Sequence, residues 1–157
     1  MGSARETLQR LYDALGRCDG STMAGCYTTD GHFADPVYPN LRGAEVGAMW
    51  RMLTSRAQGL SIEVRTLEAA RGTGSATWLA RYQFGPEQRP VANLVHSTFV
   101  FTDDLVQDQR DTFDFHGWAA MALGAKGRLL GWTPMLRNAV RQRAAADLRD
   151  FMAGSPG

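Results

Sequence analysis

The segment LVQDQRDTFDFHGW, residues 105–118, places acidic and basic groups inside a run of aromatic and strand-forming residues. An acidic side chain in such a run loses hydration unless it is paired, exposed to water or used in chemistry. Asp111 is the first candidate for such use, because a carboxyl group with a raised pKa can exchange a proton with a substrate. A second candidate carboxyl, Asp35, precedes a proline in the segment HFADPV.

Strand alternation predicts which polar side chains accompany these acids, since successive residues of a strand face opposite sides of a sheet. The strand ending at Phe84 and the strand beginning at Pro90 are joined by the loop GPEQR. If Phe84 pairs with Pro90, Arg81 and Asn93 share one face.

The turn at Asp103-Asp104 decides which face Asp111 occupies. A two-residue turn would put Asp111 opposite His96, whereas a three-residue loop would put it opposite Ser97. Two consecutive Asp residues make a poor two-residue turn, because both would need a positive φ. We therefore expect the three-residue loop, with Asp111 facing the helices beside Ser97, Asn93 and Arg81.

Three helices and then four strands must position these side chains. Ser3 and Glu6 form a capping box at the start of the first helix. Asp19 begins a second helix with Tyr27 on one face, followed by a turn at 28–31, and Gly43 precedes a third helix with Leu53 on its inner face. Irregular structure is expected at 125–132. Short turns join the strands at 61–70, 75–84, 90–102 and from 105 onward, which predicts an antiparallel meander. Helices that precede such a meander predict an α+β fold with the helices on one sheet face.

A last helix is predicted after the meander, with Thr133 at its N-cap and Pro134 at its first position. Residues 126–150 carry six basic and two acidic side chains, which we interpret as a solvated helix face. The sequence shows no repeat or linker. We expect a single domain at 1–157, with 133–152 as an appended C-terminal helix.

The bulk composition excludes several classes of protein. The 157 residues suit one domain, and the net charge of +1 argues for neither nucleic acid nor membrane partners. No apolar run approaches the roughly 18 residues of a membrane span. The N-terminus lacks the apolar core of a signal peptide, and the two cysteines, Cys18 and Cys26, suit a reducing compartment. The expected location is the cytoplasm.

The order of the elements resembles the nuclear transport factor 2-like superfamily, which includes ketosteroid isomerases, SnoaL-like polyketide cyclases and limonene epoxide hydrolases. The resemblance lies in two helices, an ADP loop, a third helix and a meander ending in RDTFD, over about residues 6–123. It implies a cone-shaped, curved antiparallel sheet wrapped by N-terminal helices. It also implies an aromatic-lined small-molecule pocket and no cofactor.

The segment Ala34-Asp35-Pro36-Val37 is similar to the loop that carries the proton-shuttling base of ketosteroid isomerases, which implies that role for Asp35. Those enzymes stabilise an oxyanion with a protonated Asp and a Tyr. Ser97 stands where the Asp would be, and Tyr12 lies one position from where the Tyr would be. The resemblance therefore implies an oxyanion hole that is missing or rebuilt.

The motif Arg110-Asp111-Thr112-Phe113-Asp114 is similar to the last-strand motif of the cyclases and epoxide hydrolases, which implies a catalytic carboxylate at Asp111. The hydrolases also use an Arg-x-Asp on a middle strand. Arg81 keeps that Arg, but Gln83 replaces the base, so epoxide hydrolysis is disfavoured.

The expected function is cofactor-free isomerase or cyclase chemistry on a hydrophobic, steroid-like or polyketide-like carbonyl compound. The alternative is a non-catalytic ligand-binding or dimerisation module. We expect a homodimer through a sheet face bearing Trp78, Tyr82 and Leu94, and no metal, because the three histidines lack a ligand spacing. The predicted catalytic residues are Asp111, Asp35 and Arg81, and the predicted substrate-binding residues are Asn93, Ser97, Tyr12, Trp50, Phe33 and Phe113.

Overall fold

The computed structural model describes residues 3–154, which form six helices and six strands. In chain order these are α1 (Ala4–Gly16), α2 (Gly20–Ala24), β1 (Tyr27–Ala34), β2 (Leu41–Arg42), α3 (Ala44–Arg56), β3 (Gln58–Ala70), β4 (Thr73–Phe84), β5 (Arg89–Thr102), β6 (Leu105–Thr112), α4 (Phe115–Leu123), α5 (Ala125–Leu130) and α6 (Pro134–Gly154).

One curved, unclosed sheet contains all six strands in the order β2-β1-β6-β5-β4-β3. Strands β3 to β6 form an antiparallel meander, while β1 pairs in parallel with β6. The inner face of the sheet packs against α1 and α3 in a large core, and α4 and α6 cover a second, smaller core. The α+β architecture predicted from the sequence is confirmed.

The predicted register of the β4–β5 hairpin is wrong by one residue. Phe84 pairs with Arg89 and not with Pro90, so the connecting loop has four residues, with Gly85 and Gln88 at positive φ. Each β4 side chain consequently lies on the face opposite to the one predicted. The observed register is favoured because it buries Trp78, partly buries Tyr82 and Phe84, and leaves the charged Arg81 in water.

The turn between β5 and β6 also differs from the prediction. It is a two-residue turn, and both Asp103 and Asp104 have the positive φ that we expected to disfavour it, 51° and 62°. The Thr7 hydroxyl of α1 donates a hydrogen bond to the Asp104 carbonyl oxygen at 2.6 Å. This contact ties the turn to the first helix and helps to offset the cost of the two left-handed residues.

A β-bulge at Gln107 gives the same register between β5 and the end of β6 that the predicted three-residue loop would have given. Val106 and Asp108 pair with consecutive residues of β5, so Gln107 is the extra residue. The shift places Asp111 opposite Ser97, as predicted, although its structural origin is different.

Several element boundaries differ from the sequence prediction. Strand β1 begins at Tyr27, which we had placed on the face of the second helix, and residues 28–31 are strand where a turn was expected. Leu53, predicted to be on the inner face of α3, is exposed, and Met52 is buried in its place. Residues 125–130 form the short helix α5 where irregular structure was expected.

Helix α6 packs on α3 through its apolar face, where Leu148 is buried in the large core. Near its middle, Arg141 Nε donates a hydrogen bond to the Pro36 carbonyl oxygen at 2.8 Å. This helix therefore reaches the loop that carries Asp35. Within residues 3–154, no helix has the length and apolar character needed to cross a bilayer.

Candidate functional site

The inner face of β6 carries Asp111 at the end of a chain of buried hydrogen bonds. Trp50 Nε1 donates to the Tyr27 hydroxyl oxygen at 2.9 Å, and the Tyr27 hydroxyl donates to Gln109 Oε1 at 2.5 Å. Gln109 Nε2 then donates to Asp111 Oδ1 at 3.0 Å. Every donor in this chain points toward Asp111, whose Oδ1 is the final acceptor.

A second group of polar side chains meets Asp111 from β5, β4 and α1. Ser97 is its cross-strand neighbour, and Trp78 Nε1 donates to Ser97 Oγ at 2.9 Å. The Tyr12 ring lies 5.4 Å from the Trp78 ring between centroids. Among residues 3–154 the buried Tyr12 hydroxyl has no hydrogen-bond partner, so it is a donor available to a ligand.

Burial raises the pKa of Asp111 to about 7, because the charged carboxylate loses hydration in the core. Contacts with the Ser97 hydroxyl and the Gln109 amide favour the ionised form and limit the rise, while the charge of Asp35 adds to it. No cation contributes. Near neutral pH, Asp111 can therefore hold a proton and present it from Oδ2.

Asp35 lies in the loop after β1 and has a different environment. Asp35 Oδ1 accepts hydrogen bonds from the backbone N–H groups of Val37 at 2.7 Å and Tyr38 at 2.6 Å. Burial raises the pKa of Asp35 to about 6, while these hydrogen bonds and the positive charge of Arg141 limit the rise. Two N–H donors and a cation therefore stabilise ionised Asp35, whereas no cation stabilises ionised Asp111, so the two carboxyls are suited to different proton-transfer roles.

The structure brings most of the other predicted site residues to the same interior. Phe33 and Trp50 are buried with their rings edge to face, 5.6 Å apart between centroids. Asn93 is buried on the inner face of β5, and the partly buried Phe113 contacts both cores. These positions agree with a ligand-lining role, which stays a prediction.

Arg81 is the exception. The predicted placement of its side chain beside Asp111 is wrong, because the one-residue change in the β4–β5 register turns it to the exposed outer face. The same change brings Trp78 and Tyr82 inside, so they cannot form the outer dimer patch predicted with Leu94.

Sequence reasoning also missed residues that belong to the site. Gln109 lies two residues before Asp111, so strand alternation alone could have placed both on one face. Tyr27 was missed because it was assigned to a helix, and Trp78 because of the register error. Nothing in the sequence indicated that Arg141, more than a hundred residues from Asp35, would influence its pKa.

Two depressions on the surface have volumes of about 250 Å³ and 300 Å³. The first is lined by residues of the α5–α6 junction and of α6, and the second by residues around α2 and α3. Neither includes Asp35 or Asp111, so the predicted ligand pocket stays a prediction. Within the described part of the chain, no three His, Cys, Asp or Glu residues are grouped as a metal site requires.

Solved structures with the same fold include proteins of several kinds. A hypothetical protein with a ketosteroid isomerase-like fold from Catenulispora acidiphila DSM 44928, in complex with trimethylamine, superimposes with a TM-score of 0.69 at 12% identity, covering 82% of this chain and 98% of that chain. An LEH-like epoxide hydrolase from M. tuberculosis gives 0.64 at 19% identity, covering 85% of this chain and 94% of that chain.

A third similar structure is SalBIII, an epoxide hydrolase/cyclase-like enzyme with a role in pyran ring formation in the polyether salinomycin. It gives a TM-score of 0.63 at 13% identity and covers 71% of this chain and 90% of that chain. At these identities the similarity shows a shared fold alone. No curated protein sequence matches this chain.

Sequence similarity identifies the family. Residues 8–109 match the SnoaL-like domain, a region that extends from α1 to β6 and ends two residues before Asp111. The match covers well over half of the chain and agrees with the folds of the similar structures. The chain belongs to the SnoaL-like domain family.

Proposed function

We propose that the protein is a cofactor-free isomerase or cyclase that moves a proton on a hydrophobic carbonyl compound. The observation that carries this proposal is the pair of carboxyls, Asp35 and Asp111, whose pKa values burial raises to about 6 and about 7. Asp111 is buried and Asp35 is half-buried, and the charge of Asp35 contributes to the raised pKa of Asp111. Acid/base catalysis is most effective when a group's pKa lies near the working pH.

The two acids receive separate roles in this proposal. Ionised Asp35 removes a proton from the carbon next to the substrate carbonyl, and the C–H electron pair forms the double bond of an enolate. The enolate oxygen accepts hydrogen bonds from protonated Asp111 and from the Tyr12 hydroxyl. Asp35 then returns its proton to a different carbon, which gives an isomer with no net change in protons or electrons.

This assignment replaces the enolate-stabilising role that the sequence had suggested for Arg81. The resemblance implied that the oxyanion hole is missing or rebuilt, because Ser97 stands where an acid would be. In this proposal the hole is rebuilt from other donors. The carboxyl of Asp111, opposite Ser97, would serve in place of an acid at Ser97. The Tyr12 hydroxyl would be the second donor, because it has no hydrogen-bond partner among the described residues. Donors already in place at the developing charge lower the barrier without reorganisation.

The test is turnover of a Δ5-3-ketosteroid and a panel of polyketide-like enones, followed by the absorbance of the conjugated product. We expect Asp35→Asn to reduce kcat by about 10²–10⁴-fold, and Asp111→Asn to reduce it by about tenfold or more. Asp13→Asn changes an exposed carboxylate next to Tyr12 and should have no effect. If both interior variants leave the rate unchanged, the assignment is wrong.

A second proposal is a ligand-binding module without catalysis. It is supported by the Trp50–Tyr27–Gln109–Asp111 chain, in which every polar side chain already has a partner inside the core. Native mass spectrometry of the purified protein would detect a bound small molecule. Recovery of that molecule unchanged after long incubation supports this function, and its conversion excludes it.

The homodimer also remains a proposal, with different contact residues from those predicted. The outer face of the meander exposes Leu94 and Val100, beside Leu79. We expect a sedimentation mass of two 17.2 kDa chains, and of one chain in a Leu94→Asp, Val100→Asp variant. A wild-type mass of one chain at micromolar concentration would exclude the dimer.

A further inference from the structure

The region from α4 to the middle of α6 has an unusual charge distribution. Residues 115–146 contain five basic residues and no acidic one, although the whole chain has a net charge of only +1. We expected no membrane partner because the net charge is small. The net charge of the whole chain does not reveal that this one region is strongly basic. A local cationic region can recognise an anionic surface even when the whole protein is nearly neutral.

The same region exposes four large apolar side chains, which we call the apolar tip. They lie at the end of α5 and the start of α6, and their exposed fractions are 69% for Leu129, 45% for Leu130, 71% for Trp132 and 80% for Met135. Single exposed apolar residues are common, but four within seven residues indicate an interaction site.

The backbone around the apolar tip is tightly braced. Trp132 Nε1 donates to the Leu129 carbonyl oxygen at 3.0 Å, and Gly131 N donates to the Gly127 carbonyl oxygen at 2.8 Å. A Cβ atom at Gly127 would lie 1.8 Å from the Ala119 carbonyl oxygen, so α5 rests directly on α4. The apolar tip is therefore held in solvent by ordered structure.

Cationic side chains flank the apolar tip. Lys126, Arg128 and Arg137 are exposed, and none of them forms an ion pair with an acidic residue of the described chain. The Arg137 guanidinium lies over the Phe115 ring at 5.1 Å, which fixes one positive charge beside α6. The surface thus combines protruding apolar groups with cations that lack acidic partners.

We propose that the apolar tip docks the protein on the surface of an anionic lipid bilayer. Indole, leucine and methionine side chains enter the boundary between headgroups and acyl chains, while lysine and arginine bind anionic headgroups. Nucleic acid would use the cations but offers no site for the leucine and methionine side chains. This inference does not depend on the proposed catalytic function.

The experiment is co-sedimentation of the full chain with vesicles. We expect binding to vesicles of equal parts phosphatidylglycerol and phosphatidylcholine to exceed binding to pure phosphatidylcholine by about tenfold at low salt. Screening by raised salt should reduce it severalfold. A Trp132→Ala, Met135→Ser variant removes apolar area, and a Lys126→Glu, Arg128→Glu variant reverses charge; each should lower binding at least about tenfold.

The matched control is Leu53→Ser, which removes an exposed apolar side chain from α3. It should bind vesicles as wild type does, and circular dichroism should show that all variants fold. The proposal is overturned if wild type does not sediment with anionic vesicles, or if the variants of the tip and its cations bind as well as Leu53→Ser. If a tip variant binds vesicles as wild type does but has a different sedimentation mass, the apolar tip is a protein interface and the membrane proposal is also overturned.

Discussion

Trp50 on α3 and Asp111 on β6 are joined by three successive hydrogen bonds through Tyr27 and Gln109. The indole N–H, the phenol O–H and the amide N–H of this chain all point toward Asp111. The chain therefore delivers one N–H to Asp111 Oδ1 and leaves Oδ2 as the position for a titrating proton.

The first prediction concerns the pH dependence of stability. The pKa of Asp111 rises from 3.8 to about 7 on folding, so at intermediate pH the unfolded chain releases a proton that the folded chain keeps. Rising pH then lowers the free energy of unfolding until the folded carboxyl also ionises. Between about pH 4 and pH 8, we expect wild type to lose roughly 2–4 kcal/mol relative to Asp111→Asn.

Urea denaturation at a series of pH values measures this difference. Asp35 and the other titrating groups are present in both proteins, so the difference between them reports Asp111 together with its charge interaction with Asp35. The exposed Asp13→Asn variant should follow wild type at every pH. A constant difference between wild type and Asp111→Asn across the series would show that the Asp111 pKa is not raised.

The second prediction compares two buried tyrosines. Tyr27→Phe removes the hydroxyl that links Trp50 to Gln109, so it should lower the free energy of unfolding by about 1–3 kcal/mol. Tyr12→Phe removes a hydroxyl without a partner among the described residues and should change it by less than about 0.5 kcal/mol. Equal losses in denaturation experiments would mean that Tyr12 has a partner the structure does not show.

The Tyr12→Phe variant also distinguishes an effect on catalysis from an effect on stability. If the Tyr12 hydroxyl stabilises an enolate, Tyr12→Phe should reduce kcat by about tenfold or more while the protein stays as stable as wild type. A stable Tyr12→Phe variant with full activity would remove Tyr12 from the proposed oxyanion site.

The third prediction uses the β5–β6 turn. Asn and Gly adopt positive φ more easily than Asp, so Asp103→Asn with Asp104→Gly should raise the free energy of unfolding by about 1 kcal/mol. Changing both residues to Ala removes the same two charges but worsens the backbone preference, and should lower it by about 1 kcal/mol. If both double variants shift the melting temperature in the same direction, charge and not backbone conformation controls this turn.

The fourth prediction concerns the contact between α6 and the Asp35 loop. Arg141→Ala removes the hydrogen bond to the Pro36 carbonyl oxygen and should lower the free energy of unfolding by about 1–2 kcal/mol. It should also raise the pKa of Asp35, because a nearby positive charge is lost. Arg143→Ala, two residues away, breaks only an exposed ion pair with Asp147 and should cost less than about 0.5 kcal/mol.

The acid limb of a pH–rate profile reports the pKa of Asp35 if this group is the base. That limb should move to higher pH in Arg141→Ala and stay in place in Arg143→Ala. A limb that does not move would contradict either the role of Asp35 or the influence of Arg141 on it.

The sequence alone predicted the α+β fold and the inward position of Asp111, because helix caps, apolar spacing and turn residues are local signals. It did not predict the bulge at Gln107 or the four-residue loop after Phe84. Those features depend on which register buries Trp78 and leaves Arg81 in water, and that choice involves the whole sheet. In the β5–β6 connection, the turn is one residue shorter than predicted and the bulge adds one residue, so Asp111 keeps its predicted face. In β4, the single one-residue error in register moved Arg81 to the opposite face.

The parallel pairing of β1 with β6 determines when the site forms during folding. The Tyr27–Gln109 hydrogen bond joins residues 82 positions apart, whereas the hairpins of the meander join near neighbours in the chain. Contacts so distant in sequence form late, because a long loop must close first. During synthesis we expect β1 to have only the short β2 as a partner until β6 leaves the ribosome, so that the proton-transfer site becomes complete only when the last strand has docked.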